Sequence, residues 1–172
     1  MLIWLNGPFG VGKTRLARRL VRMRRDFRLF DPERIGFALR RIPAETKVED
    51  FRDLAAWRAT TLRMLVAASA DSARTLVVPM CLTDPDHFNE IVGGLRAAGV
   101  DVRHFSLMAS AATVRRRNRL RLMWPGSKRW AIERIEPSLA SLADERFAVH
   151  IDTEGRTVAA IAEELLGLIG GK

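Results

Sequence analysis

The sequence predicts a three-layer α/β fold built on a parallel sheet, and three observations carry that expectation. Short apolar runs alternate with helix-spaced segments five times along 172 residues, the pattern of repeated crossover connections. The run at 74–80 is largely continuous in apolar character rather than alternating, as strands covered on both faces are, and 100–108 reads as a further strand. The first run, residues 1–6, passes straight into a glycine-rich turn and then into a helical pattern. The length suits one domain, residues 1–172, with a full core.

That first turn, Gly7-Pro8-Phe9-Gly10-Val11-Gly12-Lys13-Thr14, has the spacing G-x-x-x-x-G-K-[ST] in a strand-to-helix context. Successive backbone N–H groups in such a loop can turn inward around a polyphosphate if no Cβ obstructs the approach. The helix that starts near Lys13 adds its free N–H groups and the positive end of its dipole. Lys13 is expected to reach the β- and γ-phosphates, and the Thr14 hydroxyl to be a ligand of Mg²⁺. The expected ligand is the polyphosphate of a nucleotide.

Composition narrows the alternatives. Apolar content of 48% with 28% charged residues is that of an ordinary globular chain. The single cysteine, Cys81, excludes an internal disulfide framework and a thiolate metal cluster. The apolar start is too short for a secretory leader, and no stretch approaches a membrane span, so the cytoplasm is the expected location. A net charge of +9 fits either a nucleic-acid surface or a phosphate clamp, and only its distribution separates the two.

Taken in order, residues 15–23 repeat Leu16, Leu20 and Met23 at helical spacing, with arginines on the other face. A short strand at 27–30 ends in Asp31-Pro32-Glu33. Ligands of open parallel sheets lie beyond the carboxyl ends of strands, so these carboxylates fall at the edge of the phosphate site. Asp31 is a candidate for holding Mg²⁺, and Asp31 or Glu33 for taking a proton from an acceptor hydroxyl. Asp31 before Pro32 is equally a good helix cap. A short helix spans 34–40, and a longer helical stretch spans 49–70. The latter carries Asp50, Arg52, Asp53, Trp57 and Arg58, read either as acceptor-recognition groups or as ion pairs with a core tryptophan. After the strand at 74–80, Asp84 is a second metal candidate or another cap, and a helix runs over 87–98. His87 and His104 have no triad partners and read as structural.

After the strand at 100–108, Ser110 caps a helix that places Arg117 and Arg121 on one face. Trp124-Pro125-Gly126 interrupts it, and a further helix covers 130–142. Arginines concentrated directly after one strand end suit a lid, about 111–130, that closes over phosphates. A nucleic-acid patch would more often interleave aromatics or occupy a tail, so no nucleic-acid partner is expected. A last strand at 147–151 leads through Asp152-Thr153-Glu154-Gly155 to a helix capped by Thr157. Glu163 and Glu164 on its polar face favour packing on the sheet over a membrane surface, although peripheral contact stays open.

Further blocks give this pattern a family likeness. Ile3-Trp4-Leu5-Asn6-Gly7, Asp31-Pro32-Glu33 with Gly36, Asp50-Phe51 with Trp57-Arg58, Val78-Pro79-Met80 and His104-Phe105-Ser106-Leu107-Met108-Ala109-Ser110 together resemble bacterial tunicamycin-resistance proteins. These are small P-loop proteins similar to nucleotide and shikimate kinases. The resemblance implies a P-loop NTPase fold of the kinase type, sheet order 2-3-1-4-5, ATP or GTP binding, and a role against a lipid-tailed nucleoside antibiotic. It implies that the nucleotide base lies against Thr153-Glu154-Gly155-Arg156 and that the lid arginines are Arg117 and Arg121. Two function classes follow. One is a Mg²⁺-dependent phosphotransferase acting on a small molecule such as tunicamycin. The other is a nucleotide-gated protein that sequesters the drug without chemistry.

Overall fold

The computed structural model describes residues 1–40, 48–70, 73–120 and 125–170. Its sheet has five parallel strands in the order β2-β3-β1-β4-β5. These are β1 (Leu2–Asn6), β2 (Phe27–Leu29), β3 (Thr75–Pro79), β4 (Val102–Met108) and β5 (His150–Asp152). The order is the one the family resemblance implies. The helices are α1 (Lys13–Met23), α2 (Glu33–Leu39), α3 (Ala55–Ala70), α4 (Pro85–Phe88), α5 (Gly94–Ala97), α6 (Ala111–Arg119), α7 (Pro125–Glu133), α8 (Ile135–Leu142) and α9 (Val158–Gly170).

β1 is buried along its whole length, as the central strand between two helical layers must be. Its alternate side chains enter opposite cores. Leu2 and Trp4 pack with Trp57, Leu65, Ile91 and Leu95. Ile3 and Leu5 pack with Leu16, Leu20, Ile161 and Leu165 on the other side. Parallel pairing of Leu5 with Pro79 and with Phe105 sets the ends of β1 and β3 beside the middle of β4, which runs on to Met108.

The expected helix over 87–98 starts at Pro85 and carries a π-helical segment, Asn89–Gly93, between α4 and α5. Three further elements differ from expectation for identifiable reasons. The expected helix over 49–70 is split: a short 3-10 turn, Phe51–Asp53, precedes α3. Asp50 starts that turn by accepting the Arg52 N–H at 3.0 Å, and Leu54 is extended, so the helical ladder cannot run through. The expected helix over 130–142 begins earlier, at Pro125, a residue that suits the start of a helix, and it breaks at Arg134. Pro137 lies in the first turn of α8, where its missing N–H is tolerated. The last strand begins three residues late, because 145–147 form a 3-10 turn capped by Asp144 that buries Phe147 against Phe88. Asp84 caps α4 by accepting the Asp86 and His87 N–H groups at 2.8 and 3.0 Å.

His104 on β4 is 5% exposed and structural, as expected. Its Nδ1 lies 3.0 Å from Ala148 O and its Nε2 lies 3.4 Å from the Asn6 amide nitrogen. Because Asn6 Nδ2 is a donor, the network fits the neutral ring protonated on Nδ1. Burial, opposed by the Ala148 bond and helped by Arg96 and His150, pushes the ring from its ordinary 6.5 down to about 4. Between those values the unfolded chain takes up a proton that the fold excludes, so stability falls as pH falls through that window. The expected loss is on the order of 3 kcal/mol from pH 7 to pH 4. Urea unfolding across that range should show it, and His104→Gln should flatten the dependence; an unchanged slope in the variant contradicts the assignment.

The Asp50–Arg52 pair generates a second expectation. Burial raises the Asp50 carboxyl, but Arg52 hydrogen bonds and charge outweigh it and hold the group below the usual carboxylate range. The two side chains are only 10% and 12% exposed. Asp50→Asn leaves the Arg52 guanidinium without its counter-charge and should destabilise the fold by about 3 kcal/mol. Urea melts at pH 7 measure it, and a change within 0.5 kcal/mol, the scale typical of a surface substitution, would mark the pair as solvated.

Candidate active site

The turn after β1 forms the floor of a cleft of about 300 Å³. Phe9, Gly10, Val11, Gly12, Lys13 and Thr14 line it, so the expected phosphate loop does face an open space. Val11 is buried and anchors the loop to the core, while its N–H donates to Pro8 O at 3.3 Å. Gly10 and Gly12 have φ of +89° and +122°, which side chains with a Cβ rarely adopt. α1 begins directly after Gly12 with no side-chain cap, so its first N–H groups point into the cleft as an anion site does. Lys13 is 8% exposed, and its Nζ donates to Gly7 O at 2.8 Å and Pro8 O at 3.0 Å. Thr14 is exposed to the cleft.

One wall comes from α6 and the turn between β5 and α9. Arg117 donates to Val11 O at 3.0 Å, to Thr153 Oγ1 at 3.0 Å and to Thr153 O at 2.8 Å. It thereby joins the phosphate loop to the segment where the resemblance places the nucleotide base. Thr153 Oγ1–H in turn donates to Met108 O at 2.9 Å. Arg156, Val158 and Ile161 extend this wall, and Leu107 closes its base. Gly155 forms the tip of the turn beside Glu154 and Arg156 without lining the cleft. Glu154 binds Thr113 Oγ1–H and the Ser110 N–H, which hold its carboxyl below the ordinary range and tie the turn to α6.

The opposite edge carries the carboxylates. Glu33, the first residue of α2, lines the cleft. Asp31 accepts the Glu33 N–H at 3.1 Å, so its capping role is realised, and it does not line the cleft. Trp57 is fully buried and its Nε1–H donates to Pro32 O at 3.0 Å. Direct contact between Trp57 and an acceptor is therefore corrected: it is a core residue that holds the Asp31–Glu33 segment from behind. Arg58 donates to Arg52 O at 2.8 Å and pairs with Glu90, and Asp50 is engaged by Arg52. Neither reaches the cleft lining; both brace the 3-10 turn. Asp84 is likewise spent as a cap away from the cleft, which removes it as a metal candidate. Arg121 lies outside the described residues.

The structure adds contacts around Phe9, two of them from residues that the sequence did not mark, Trp130 and Asn118. Arg52, one of the charged groups of the 49–70 stretch, donates to Cys81 O at 2.9 Å and stacks 5.3 Å from the Phe9 ring, with Lys13 Nζ 5.4 Å from the same ring. Trp130 of α7 meets Phe9 edge-on at 4.9 Å. Asn118 donates to Phe9 O at 2.7 Å. Only the arginine density of α6 hinted at any of these contacts.

Thr14 and Glu33, which both line the cleft, suit a small hard cation, which takes oxygen ligands and keeps several waters of its own. Among the described residues no cluster of three or more His, Cys, Asp or Glu side chains forms a protein-only cage. A cation shared between Thr14 and bound phosphates does not need one.

Comparison with known proteins follows from this geometry. A family model described as an AAA domain matches residues 2–131. The tunicamycin resistance protein of Deinococcus radiodurans is similar over 98% of this chain and 95% of that one, with 32% identity and a TM-score of 0.82. A gluconokinase from Sinorhizobium meliloti 1021 matches over 98% and 91% of the two chains at 20% identity and a TM-score of 0.64. A shikimate kinase from Bacteroides thetaiotaomicron matches over 99% and 98% at 17% identity and 0.66. The last two likenesses concern the fold. No curated protein sequence matches significantly. With the glycine-rich cradle under a 2-3-1-4-5 sheet and a full-length match at this identity, the chain belongs to the AAA-domain family of kinase-like P-loop proteins, in the company of the tunicamycin resistance protein.

Proposed function

We propose that this protein is a Mg²⁺-dependent phosphotransferase that moves the γ-phosphoryl group of ATP or GTP to a hydroxyl of a small molecule, with tunicamycin as the acceptor. The observation that carries the reading is one continuous cleft joining Lys13 and Thr14 to Glu33 on one side and to Arg117 and Thr153 on the other. The choice of acceptor is supported by the likeness to the tunicamycin resistance protein of Deinococcus radiodurans. No described helix is long and apolar enough to cross a membrane, and we place the activity in the cytoplasm, where ATP and Mg²⁺ are plentiful.

In this reading the loop amides and the start of α1 hold the polyphosphate. Lys13 Nζ exchanges the carbonyls of Gly7 and Pro8 for phosphate oxygens, which its flexible stem permits. Thr14, with Asp31 through water, would hold Mg²⁺, which supplies charge neutralisation between the phosphates. Glu33 takes the proton of the acceptor hydroxyl. The acceptor oxygen then bonds to the γ-phosphorus as the bond to the bridging oxygen breaks, and the nucleoside diphosphate leaves with that electron pair. Arg117 stays with Val11 and Thr153 as a positioning group on the nucleotide side. Arg121 completes the charge stabilisation in this scheme.

Two outcomes test the proposal. With ATP, Mg²⁺ and tunicamycin, mass spectrometry should find phosphate added to the drug, and Lys13→Ala should reduce that rate at least a hundredfold. Stoichiometric drug binding with no ADP and no mass change would instead support sequestration. Glu33→Gln should lower kcat at least a hundredfold with little change in the KM for ATP, as loss of a proton acceptor does. A raised KM with unchanged kcat would move Glu33 from catalysis to binding.

A further inference from the structure

The cradle has an orienting residue outside the glycine-rich motif. Asn118 of α6 is 0% exposed. Its amide nitrogen donates to Phe9 O at 2.7 Å and to Val114 O at 3.1 Å, the latter within its own helix. Its Oδ1 is buried and has no hydrogen-bond partner among the described residues. The carboxamide lies flat against the loop: a Cβ built on Gly10 would meet Asn118 Nδ2 at 2.1 Å and Oδ1 at 2.7 Å. Gly10 therefore has two reasons to lack a side chain, its φ of +89° and this amide.

Peptide planarity converts these contacts into a statement about anion binding. In a trans peptide the C=O of one residue and the N–H of the next point in opposite directions. Asn118 draws the Phe9 carbonyl towards α6, so the Gly10 N–H is turned away from α6. Arg117, its neighbour in the chain, draws the Val11 carbonyl the same way, and the Gly12 N–H is turned correspondingly. Among the described residues, neither of these N–H groups has a hydrogen bond. An alternation of carbonyls anchored to α6 at 9 and 11 with free amides turned the other way at 10 and 12 suits a concave anion nest. Glycine permits that shape; it does not select it, because φ is free on either side of zero.

We propose that Asn118 is a positioning residue of the phosphate cradle, holding the Phe9–Gly10 peptide so that the Gly10 N–H faces bound polyphosphate. This rests on the nucleotide-binding reading above and adds a residue to it. The inward-facing amide is available before ligand arrives, so binding does not have to reorder the loop. Replacement by leucine keeps the approximate volume but removes the donor to Phe9 O. Replacement by serine is too short to span to Phe9 and keeps a polar group, so it covers the case in which leucine fails to fold.

The experiment uses inorganic pyrophosphate, which has no base or ribose, alongside ATP. Calorimetric titrations are run on wild type, Lys13→Ala, Asn118→Leu and Asn118→Ser, each shown to melt cooperatively, at a temperature below the onset of every melt. Wild type should bind both ligands, and each folded Asn118 variant should lose roughly tenfold in affinity for pyrophosphate and for ATP alike. A residue that only stabilises α6 would lower the melting temperature and leave pyrophosphate affinity within twofold, and that result overturns the inference while leaving nucleotide binding intact. If wild type itself binds neither ligand, the nucleotide-binding reading fails, and the role of Asn118 fails with it.

Discussion

The arrangement depends on one buried carboxamide at the end of the central strand. Asn6 Oδ1 accepts the N–H groups of Gly7 and Leu82, each at 2.9 Å, and its Nδ2 donates to Leu82 O at 2.7 Å. The same nitrogen faces His104 on β4. One side chain thus fixes the start of the phosphate loop, the exit of β3 and the position of β4. All of this happens at zero solvent exposure, where an unmade hydrogen bond costs roughly 1–3 kcal/mol. An aliphatic residue of similar size would strand three backbone groups at once. The direction in which the loop leaves the sheet is therefore set before any glycine in it contributes.

From that origin the cleft is assembled by contacts that link distant parts of the chain. Arg52 reaches across from the 3-10 turn, Asn118 and Arg117 from α6, and Trp130 from α7. Phe9 is where most of them meet: its carbonyl is held from one side and its ring is covered by two cations and an indole. Arginine is suited to this because its guanidinium can stack on a ring while donating in its own plane. Arg52 does both, to Phe9 and to Cys81 O, and it keeps Asp50 as counter-charge.

Much of the architecture was legible because burial on both faces writes itself as continuous apolar runs, and because glycine spacing in the loop has a steric cause. Boundaries failed where a local side-chain bond overrode periodicity, at Asp50 and at Asp144. The site was legible only in part. The loop and Arg117 announce themselves, one by motif and the other by its place after a strand end. Asn118 does not, because its meaning lies in a carbonyl 109 residues earlier. Trp57 misled for the complementary reason: an indole among charges looks like a recognition element, and only its burial and its bond to Pro32 O reveal a support.

The basic character of the chain also reads differently once the helices are in place. Of the α6 arginines, Arg115 pairs with Glu136, Arg117 turns inward, and Arg116 and Arg119 remain exposed. Arg134 stacks on Trp130 at 4.2 Å and approaches Glu49 at 3.3 Å. Much of the arginine around α6 and α7 is thus engaged in contacts within the fold. What this packing creates is mechanical dependence. Asn118 and Trp130 grip the same loop residue from helices on either side of residues 121–124. A change in the angle between α6 and α7 must then either part the Trp130 and Phe9 rings or carry the loop along, because packed contacts of this kind do not stretch continuously. The phosphate loop is consequently coupled to the α6–α7 segment by geometry that exists before any nucleotide arrives.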